Sequence, residues 1–272
     1  MPLNTAAFDW VCTVVRTDAA IVLDPGKEYL VESRLAPLAR SAGDRDVSAF
    51  IDHVRTSPDP RLRARVVDAL TTNETSWFRD SGPFLALEQQ ILPTMLRDRA
   101  DTRTLRIWSA ACSTGQEPYS IAILLKESKA LAGWRTEIVG TDISSTVLEQ
   151  ARRGSYSQVE MNRGMPAPKL VQHFHRDGLR WVISDDLRAK LTLRQLNLAA
   201  PLPANLGQFD VVFLRNVLIY FSVSTRREIL RRIRAVCRPD AYLVLGAAET
   251  TIGVDETWVR DPAGRVPLYR VR

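Results

Sequence analysis

The chain has 272 residues, 45% hydrophobic and 25% charged, which excludes a disordered or fibrous protein and allows one large domain or two modest ones. No apolar run approaches the ~20 residues of a membrane-spanning helix, and Met1–Trp10 lacks a basic start with an apolar core, so neither membrane insertion nor a signal peptide is expected. The formal charge of +6 is uneven: residues 1–70 hold nine Lys/Arg against ten Asp/Glu and residues 71–272 hold 28 against 21, so the basic body invites an acidic partner, nucleic acid or protein.

In chain order, residues 1–70 read as all helix. The periodicity predicts pieces near 5–17, 26–42, 46–56 and 59–70, broken at Asp24-Pro25-Gly26, Gly43 and Ser57-Pro58-Asp59-Pro60. In the second piece Val31, Leu35, Leu38 and Ala42 share an apolar stripe, with Lys27 and Arg34 on another face. Residues 71–95 read as a linker and a connecting helix that starts at Ser81-Gly82-Pro83 and runs toward Leu92-Pro93. From Thr104 strands alternate with helices. Strands are predicted near 104–109, 136–141, 191–195, 209–214, 241–247 and 267–271, and helices near 117–132, 144–152 and 222–237. That alternation is the pattern of an α/β, doubly wound, mostly parallel sheet covered on both faces. Residues 153–190 interrupt it. There Arg180-Trp181-Val182-Ile183 and Leu191–Leu196 read as an antiparallel pair, and His173-Phe174-His175 as one face of a helix end. The arginine run Arg226–Arg234 carries Ile229, Leu230 and Ile233 at helical spacing, so it reads as the solvated face of an amphipathic helix.

The stretch Leu105–Ala122 joins a strand to a helix through the small residues Ala110-Ala111-Cys112-Ser113-Thr114-Gly115. Such a junction lets a ligand touch backbone. A second strand ends in an acid, Gly140-Thr141-Asp142. Small-residue loop, helix, strand and acid in that order mark a nucleoside site in which the acid takes the ribose hydroxyls. The loop has one glycine instead of the three of a pyrophosphate site, and Glu117 at the helix start would repel phosphate. A cationic, phosphate-free nucleoside such as S-adenosylmethionine fits better. Arg215-Asn216 follows the apolar run Phe209–Leu214, at the end of a strand where such sheets bind ligands. A buried arginine demands an anion there, either from a ligand or from a structural ion pair. Cys12, Cys112 and Cys237 are scattered, which argues against a disulfide framework or zinc site and for a reducing compartment. No metal-ligand spacing stands out.

Four segments together resemble the CheR-type chemotaxis receptor methyltransferases: Leu70–Arg79, Trp108–Ser120, Gly140–Ser144 and Phe209–Phe221. The resemblance spans nearly the whole chain. It implies a cytoplasmic enzyme that methylates glutamate carboxylates of methyl-accepting chemoreceptors with S-adenosylmethionine, leaving S-adenosylhomocysteine. It implies an N-terminal all-helical domain (1–70), a connecting segment (71–95), and a Rossmann-like methyltransferase domain (96–272) with a small antiparallel β subdomain at about 170–196. Cofactor contacts are implied for Asn73, Thr75, Arg79, Glu117, Asp142, Asn197, Leu198, Arg215 and Asn216. Arg215 and Tyr220 are implied as the acceptor-side catalytic pair, and Lys27, Arg34 and Arg40 as the receptor-docking set. A monomer needing no metal and no nucleic acid is expected. The segment Phe174–Ile183 is short where some members have a longer hairpin that captures a receptor tail, so docking without a C-terminal peptide tether is expected. Two alternatives stand beside this reading. One is a cofactor-sensing regulator without transfer activity. The other is a methyltransferase for a different acceptor, although Arg215-Asn216-Val217-Leu218-Ile219 stands where amine-methylating enzymes carry an Asn/Asp-Pro-Pro-aromatic motif.

Overall fold

The computed structural model describes residues 3–262 and 266–271. Its contacts group into two units, Met1–Thr72 with Tyr220–Thr225, and Asn73–Ile219 with Arg226–Arg272.

The first unit holds four helices: α1 (Thr5–Ala19), α2 (Glu28–Ala42), α3 (Val47–Thr56) and α4 (Pro60–Leu70). Their limits follow local chemistry. Asn4, Asp46 and Asp59 cap three N-termini by accepting backbone N–H bonds at 2.7, 2.8 and 3.0 Å, which satisfies donors the helix itself leaves open. Gly43 takes a left-handed φ of 80° at the end of α2, where a side chain would be strained. Val11, Val15, Val31, Leu35, Phe50, Ile51 and Val66 form the fully buried core. The stripe of α2 closes on Ala39, whereas the expected Ala42 is exposed. An α-helix drifts off a strict heptad, and the i+4 step from Leu35 reaches Ala39. The segment Tyr220–Thr225 belongs here too, and its Tyr220 carbonyl accepts the Val22 N–H at 3.3 Å.

The second unit opens with α5 (Gly82–Ala86), a π turn (Leu87–Ile91) and α6 (Leu92–Asp98). The expected connecting helix thus runs past Pro93 to Asp98. Proline is tolerated because it falls in the first turn after the π irregularity. Next come β1 (Thr104–Ala110), α7 (Gln116–Glu127), β2 (Arg135–Asp142), α8 (Ser145–Arg153), β3 (Ser155–Ser157), α9 (Gln158–Asn162), α10 (Ala167–His173), β4 (Phe174–Asp177), β5 (Arg180–Ile183), α11 (Asp185–Arg188), β6 (Leu191–Gln195), β7 (Phe209–Leu214), α12 (Val223–Ala235), β8 (Cys237–Leu245), β9 (Trp258–Arg260) and β10 (Leu268–Val271). The main sheet has the order β6-β2-β1-β7-β8-β10-β9. Its first five strands run parallel, β10 pairs antiparallel with β8, and β9 pairs antiparallel with β10. Every residue of β7 is buried, as its unbroken apolar run requires of a central strand.

The sequence reading needs correction at several points. Arg180–Ile183 does not pair with Leu191–Leu196. β5 lies between β3 and β4 in a separate three-stranded antiparallel sheet, and β6 joins the main sheet parallel to β2. The turn of α11 separates the two strands and sends each to a different sheet. The subdomain sheet therefore draws on Ser155–Ser157, outside the expected 170–196, and leaves out Leu191–Gln195. His173 and His175 do not share a helix face: His173 ends α10, buried against Glu127 at 2.9 Å, and His175 lies exposed on β4. β8 starts four residues before the expected strand, because Arg238-Pro239-Asp240 is absorbed in a bulge between the Phe209–Cys237 and Val211–Tyr242 pairs.

Candidate functional site

β6, β2, β1 and β7 are neighbours in a parallel sheet, so their C-terminal ends lie side by side. The loops leaving these ends carry the residues singled out in the sequence: 111–115 after β1, Asp142 closing β2, Asn197-Leu198 after β6 and Arg215-Asn216 after β7. Doubly wound sheets bind ligands along this edge.

Backbone strain concentrates in the same loops. Ala111 (φ 61°), Ser113 (φ 51°) and Asn216 (φ 58°) are left-handed without being glycine, as are Phe78, Asp80 and Ser81. Such residues persist only where their surroundings over-determine them, and they cluster at binding sites. Gly115, at φ 94°, starts α7. A Cβ there would meet the Ala151 Cβ at 2.9 Å and the Tyr156 hydroxyl at 3.1 Å.

Asp142 is buried and held from two sides, accepting the Ser113 N–H at 2.8 Å and the Ser144 N–H at 3.0 Å. The loop of β1 is thereby fastened to the end of β2, and the orientation of the carboxylate is set. Ser113 Oγ donates to the Asn73 carbonyl at 2.7 Å, which brings the 73–79 segment to the same loop. Arg79 lies further along that segment, half-buried, and donates to the Glu74 carbonyl at 3.0 Å. Asn197 accepts the Ala199 N–H at 2.9 Å and so closes a turn after β6, as a residue of that type does locally. Arg232 of α12 then holds this loop by donating to the carbonyls of Leu198, Ala199 and Ala200 at 3.4, 2.6 and 3.2 Å.

Arg215 is the most buried charge at this edge, with its side chain 2% exposed. Its guanidinium donates to Glu117 at 2.9 Å, to Asp80 at 2.8 Å and to the Arg79 carbonyl at 2.7 Å, and stands 5.7 Å from the centre of the Phe84 ring. Glu117 also accepts from Ser109 Oγ at 2.7 Å. Both carboxylate oxygens of Glu117 are thus engaged by the protein. The anion demanded by a buried arginine is met by structural ion pairs, one of the two outcomes weighed from the sequence. Arg215 Nε alone is buried without a hydrogen-bond partner.

The thiol of Cys112 lies within this loop. Burial, and then the charges of Asp142 and Glu117, push it well above the usual thiol range, so it stays neutral and acts as packing rather than as a nucleophile. Among the described residues no cluster of His, Cys, Asp or Glu is arranged to hold a metal ion.

Tyr220 falls in the other unit by contact grouping. Lys27 is half-buried at the start of α2, and Arg40 is exposed on its last turn. Arg34 is committed elsewhere. Its guanidinium donates to the Leu70 and Thr71 carbonyls at 2.9 Å each and to Thr72 at 3.3 Å, satisfying carbonyls at the end of α4.

Sequence reasoning passed over Ser109, which donates to Glu117, Asp80, which pairs with Arg215, Arg232, which holds the loop after β6, and Glu249, which accepts from the Asn216, Val217 and Leu218 N–H groups. The available clue for Glu249 was an acid three residues after a glycine at the end of a parallel strand. For Asp80 it was an acid next to Arg79.

The donor set fits S-adenosylmethionine. A fixed acid closes the second strand, the first loop is small and strained, and the Arg215 Nε is buried at the same edge without a hydrogen-bond partner. The comparisons agree. Residues 73–261 match the family description "CheR methyltransferase, SAM binding domain", and residues 6–71 match "CheR methyltransferase, all-alpha domain". Chemotaxis protein methyltransferase 1 of Pseudomonas aeruginosa is 41% identical over 279 residues, covering 100% of each chain. Chemotaxis protein methyltransferase Cher2 of Pseudomonas putida is 40% identical over 94% of each. The chemotaxis protein methyltransferase of Escherichia coli is 34% identical over 92% of this chain and 86% of that one. With both halves matched and relatives similar end to end, this chain belongs to the CheR methyltransferase family, with an all-α domain followed by an S-adenosylmethionine-binding domain.

Proposed function

We propose that the protein transfers a methyl group from S-adenosylmethionine to glutamate side chains on the cytoplasmic domain of methyl-accepting chemoreceptors. The observation that carries this reading is the end-to-end similarity to chemotaxis protein methyltransferases, together with a fixed strand-end acid, Asp142, and a buried Arg215–Glu117 pair at the same edge of the sheet.

The chemistry asks little of the protein. A glutamate carboxylate is ionised at neutral pH, with an ordinary pKa of about 4.3, so no general base is needed. When bound, S-adenosylmethionine would supply a methyl group activated by its sulfonium charge, with the sulfur keeping the bonding pair as the carboxylate oxygen takes the methyl. What remains for this chain is alignment and exclusion of water. In this reading Asp142 takes the ribose hydroxyls, and Asn197 and Leu198 face the adenine. Asn73, Thr75, Glu117 and Asn216 line the methionine end. Arg79 faces a carboxylate there, and the hydroxyl of Tyr220 donates to the acceptor. Arg215, already paired with Glu117 and Asp80, fixes the electrostatics at the end of β7.

Receptor docking in this reading uses the half-buried Lys27 that caps α2 and the exposed Arg40 on its last turn, with Arg34 holding the end of α4. It needs no receptor tail, and the enzyme acts as a monomer. Contacts of so few charges are weak and weaken further with salt. The test is incubation with methyl-labelled S-adenosylmethionine and receptor-bearing membranes from the protein's own host. Base-labile methyl esters on receptor bands are expected. Cofactor binding without any transfer would favour the regulatory alternative. Micromolar capture of a receptor C-terminal peptide would overturn the tether-free part alone.

A further inference from the structure

Glu249 is a buried carboxylate that the proposed chemistry does not use. It sits four residues past the end of β8, 6% exposed. Both oxygens are ringed by backbone donors: Oε2 accepts from Gly246 and Asn216 at 2.8 Å each, and Oε1 accepts from Val217 at 2.8 Å and Leu218 at 2.7 Å. Three of these four donors are consecutive N–H groups of the loop leaving β7. Successive N–H groups turned inward form an anion-binding nest, and here the anion is the protein's own side chain. The nest exists because Asn216 adopts φ 58°, in the left-handed region that asparagine enters more readily than other L residues but which still needs support from its surroundings. The partner loop is shaped for it as well. A Cβ on Gly246 would lie 2.7 Å from Glu249 Oε2 and 2.9 Å from the Asn216 nitrogen.

We propose that Glu249 is a positioning residue for the methyl-transfer site: it holds the strained Arg215-Asn216 turn so that Arg215 meets Glu117 and Asp80 and Asn216 meets the cofactor. This rests on the assignment of that turn to the S-adenosylmethionine site. Arg215 reaches its two acids from the first residue after β7, and Asn216 is the next residue, with its nitrogen on Glu249. Freeing three adjacent N–H groups would let Asn216 relax out of the left-handed region and carry both side chains with it. Loss of a buried acceptor also destabilises the fold, so a stability measurement alone would not distinguish positioning from a merely structural role.

The same strand offers the control. Asp210, near the other end of β7, is also a buried carboxylate, accepting from the Arg106 N–H at 2.8 Å and paired with Arg99 at 2.9 Å and Arg238 at 3.1 Å. Purified Glu249→Gln, Gly246→Ala, Asp210→Asn and Asp142→Ala variants would be compared in thermal unfolding, in S-adenosylhomocysteine affinity by calorimetry, and in steady-state methyl transfer well below each melting temperature. Glu249→Gln keeps one acceptor oxygen and sets an amide NH2 against two donors. It should weaken S-adenosylhomocysteine about tenfold and lower kcat by a further factor of about ten or more, the scale of losing hydrogen bonds to a charged group. Gly246→Ala, which displaces the carboxylate without removing it, should follow in the same direction. Asp210→Asn should lose comparable thermal stability while keeping affinity and kcat within about twofold of the parent, as expected for a change remote from the site. The inference is overturned if Glu249→Gln and Gly246→Ala, still folded, bind and turn over like the parent, or if Asp210→Asn is impaired as much as they are. Should Glu249→Gln not fold, Gly246→Ala decides alone. Normal affinity in Asp142→Ala would instead show that the underlying assignment of the cofactor site is at fault.

Discussion

Arg215 shows how much one side chain can be asked to do. It is an ion pair with Glu117 in the interior, and a buried pair broken on one side leaves a charge without compensation. Arg215→Ala is therefore expected to cost about 3–5 kcal/mol of stability. The double variant Arg215→Met, Glu117→Gln should recover much of that loss, because both charges go together, yet remain inactive. Urea unfolding of the two variants beside methyl-transfer assays checks this, and activity in the double variant would remove the pair from the mechanism. Asp142 makes the cleaner binding test, since its carboxylate is set by the Ser113 and Ser144 N–H groups. Asp142→Ala should weaken S-adenosylhomocysteine by about 1.5–3 kcal/mol in calorimetry, the value of hydrogen bonds to a charged acceptor.

At the scale of elements, the junction of β1 and α7 leaves no room for a side chain at Gly115. Gly115→Ala forces a side chain into φ 94° and toward Ala151 and Tyr156, so a stability loss of about 1–3 kcal/mol is expected, with weaker cofactor binding because the loop moves as a unit. The helical unit allows two roles of α2 to be separated. Arg34→Ala removes the donors that satisfy the Leu70 and Thr71 carbonyls and should cost about 1 kcal/mol or more. Arg40→Ala removes an exposed charge and should leave the melting temperature nearly unchanged while lowering receptor affinity at low salt. Equal effects of the two variants on stability would contradict this division. α12 behaves as its periodicity predicts, burying Ile229, Leu230 and Ile233 and turning its arginines outward or onto the loop after β6.

Across the whole molecule, a few partly buried arginines serve as internal latches. Arg99 bridges Asp210 and Asp240, and Arg106 pairs with Glu137 directly across β1 and β2. The Arg106 guanidinium holds the Glu137 carboxyl below its ordinary range, and Arg99 does the same for Asp240. A carboxylate with a depressed folded pKa stabilises the fold above its unfolded pKa, near 4, and that contribution disappears as pH falls through the lower folded value. Stability should thus drop below about pH 4, and the gap in melting temperature between the parent and Glu137→Gln should be full at pH 6 and close toward pH 3. The gap is expected to be modest, about 1 kcal/mol at most for a pair one-third exposed to solvent. A gap independent of pH would show that the pair contributes through packing alone.

By itself the sequence determined the period of each element, and with it the four-helix unit, the parallel α/β body and the edge at which a nucleoside would sit. Those features follow from hydrophobic spacing, breaks such as Gly43 and Ser57-Pro58-Asp59-Pro60, and an unbroken apolar run at Phe209–Leu214, all of which are local. Tertiary structure decided the pairings. Nothing local distinguishes β5 with β4 from β5 with β6, because an isolated strand presents the same donors to either neighbour. The partners of Arg215 and Arg34 lie 98 and 36 residues away, and the nest around Glu249 is made by a loop 31 to 33 residues earlier in the chain. A charge shows its type in the sequence. Which counter-charge it meets depends on how the strands are ordered, and that order is set by the packing of the whole sheet.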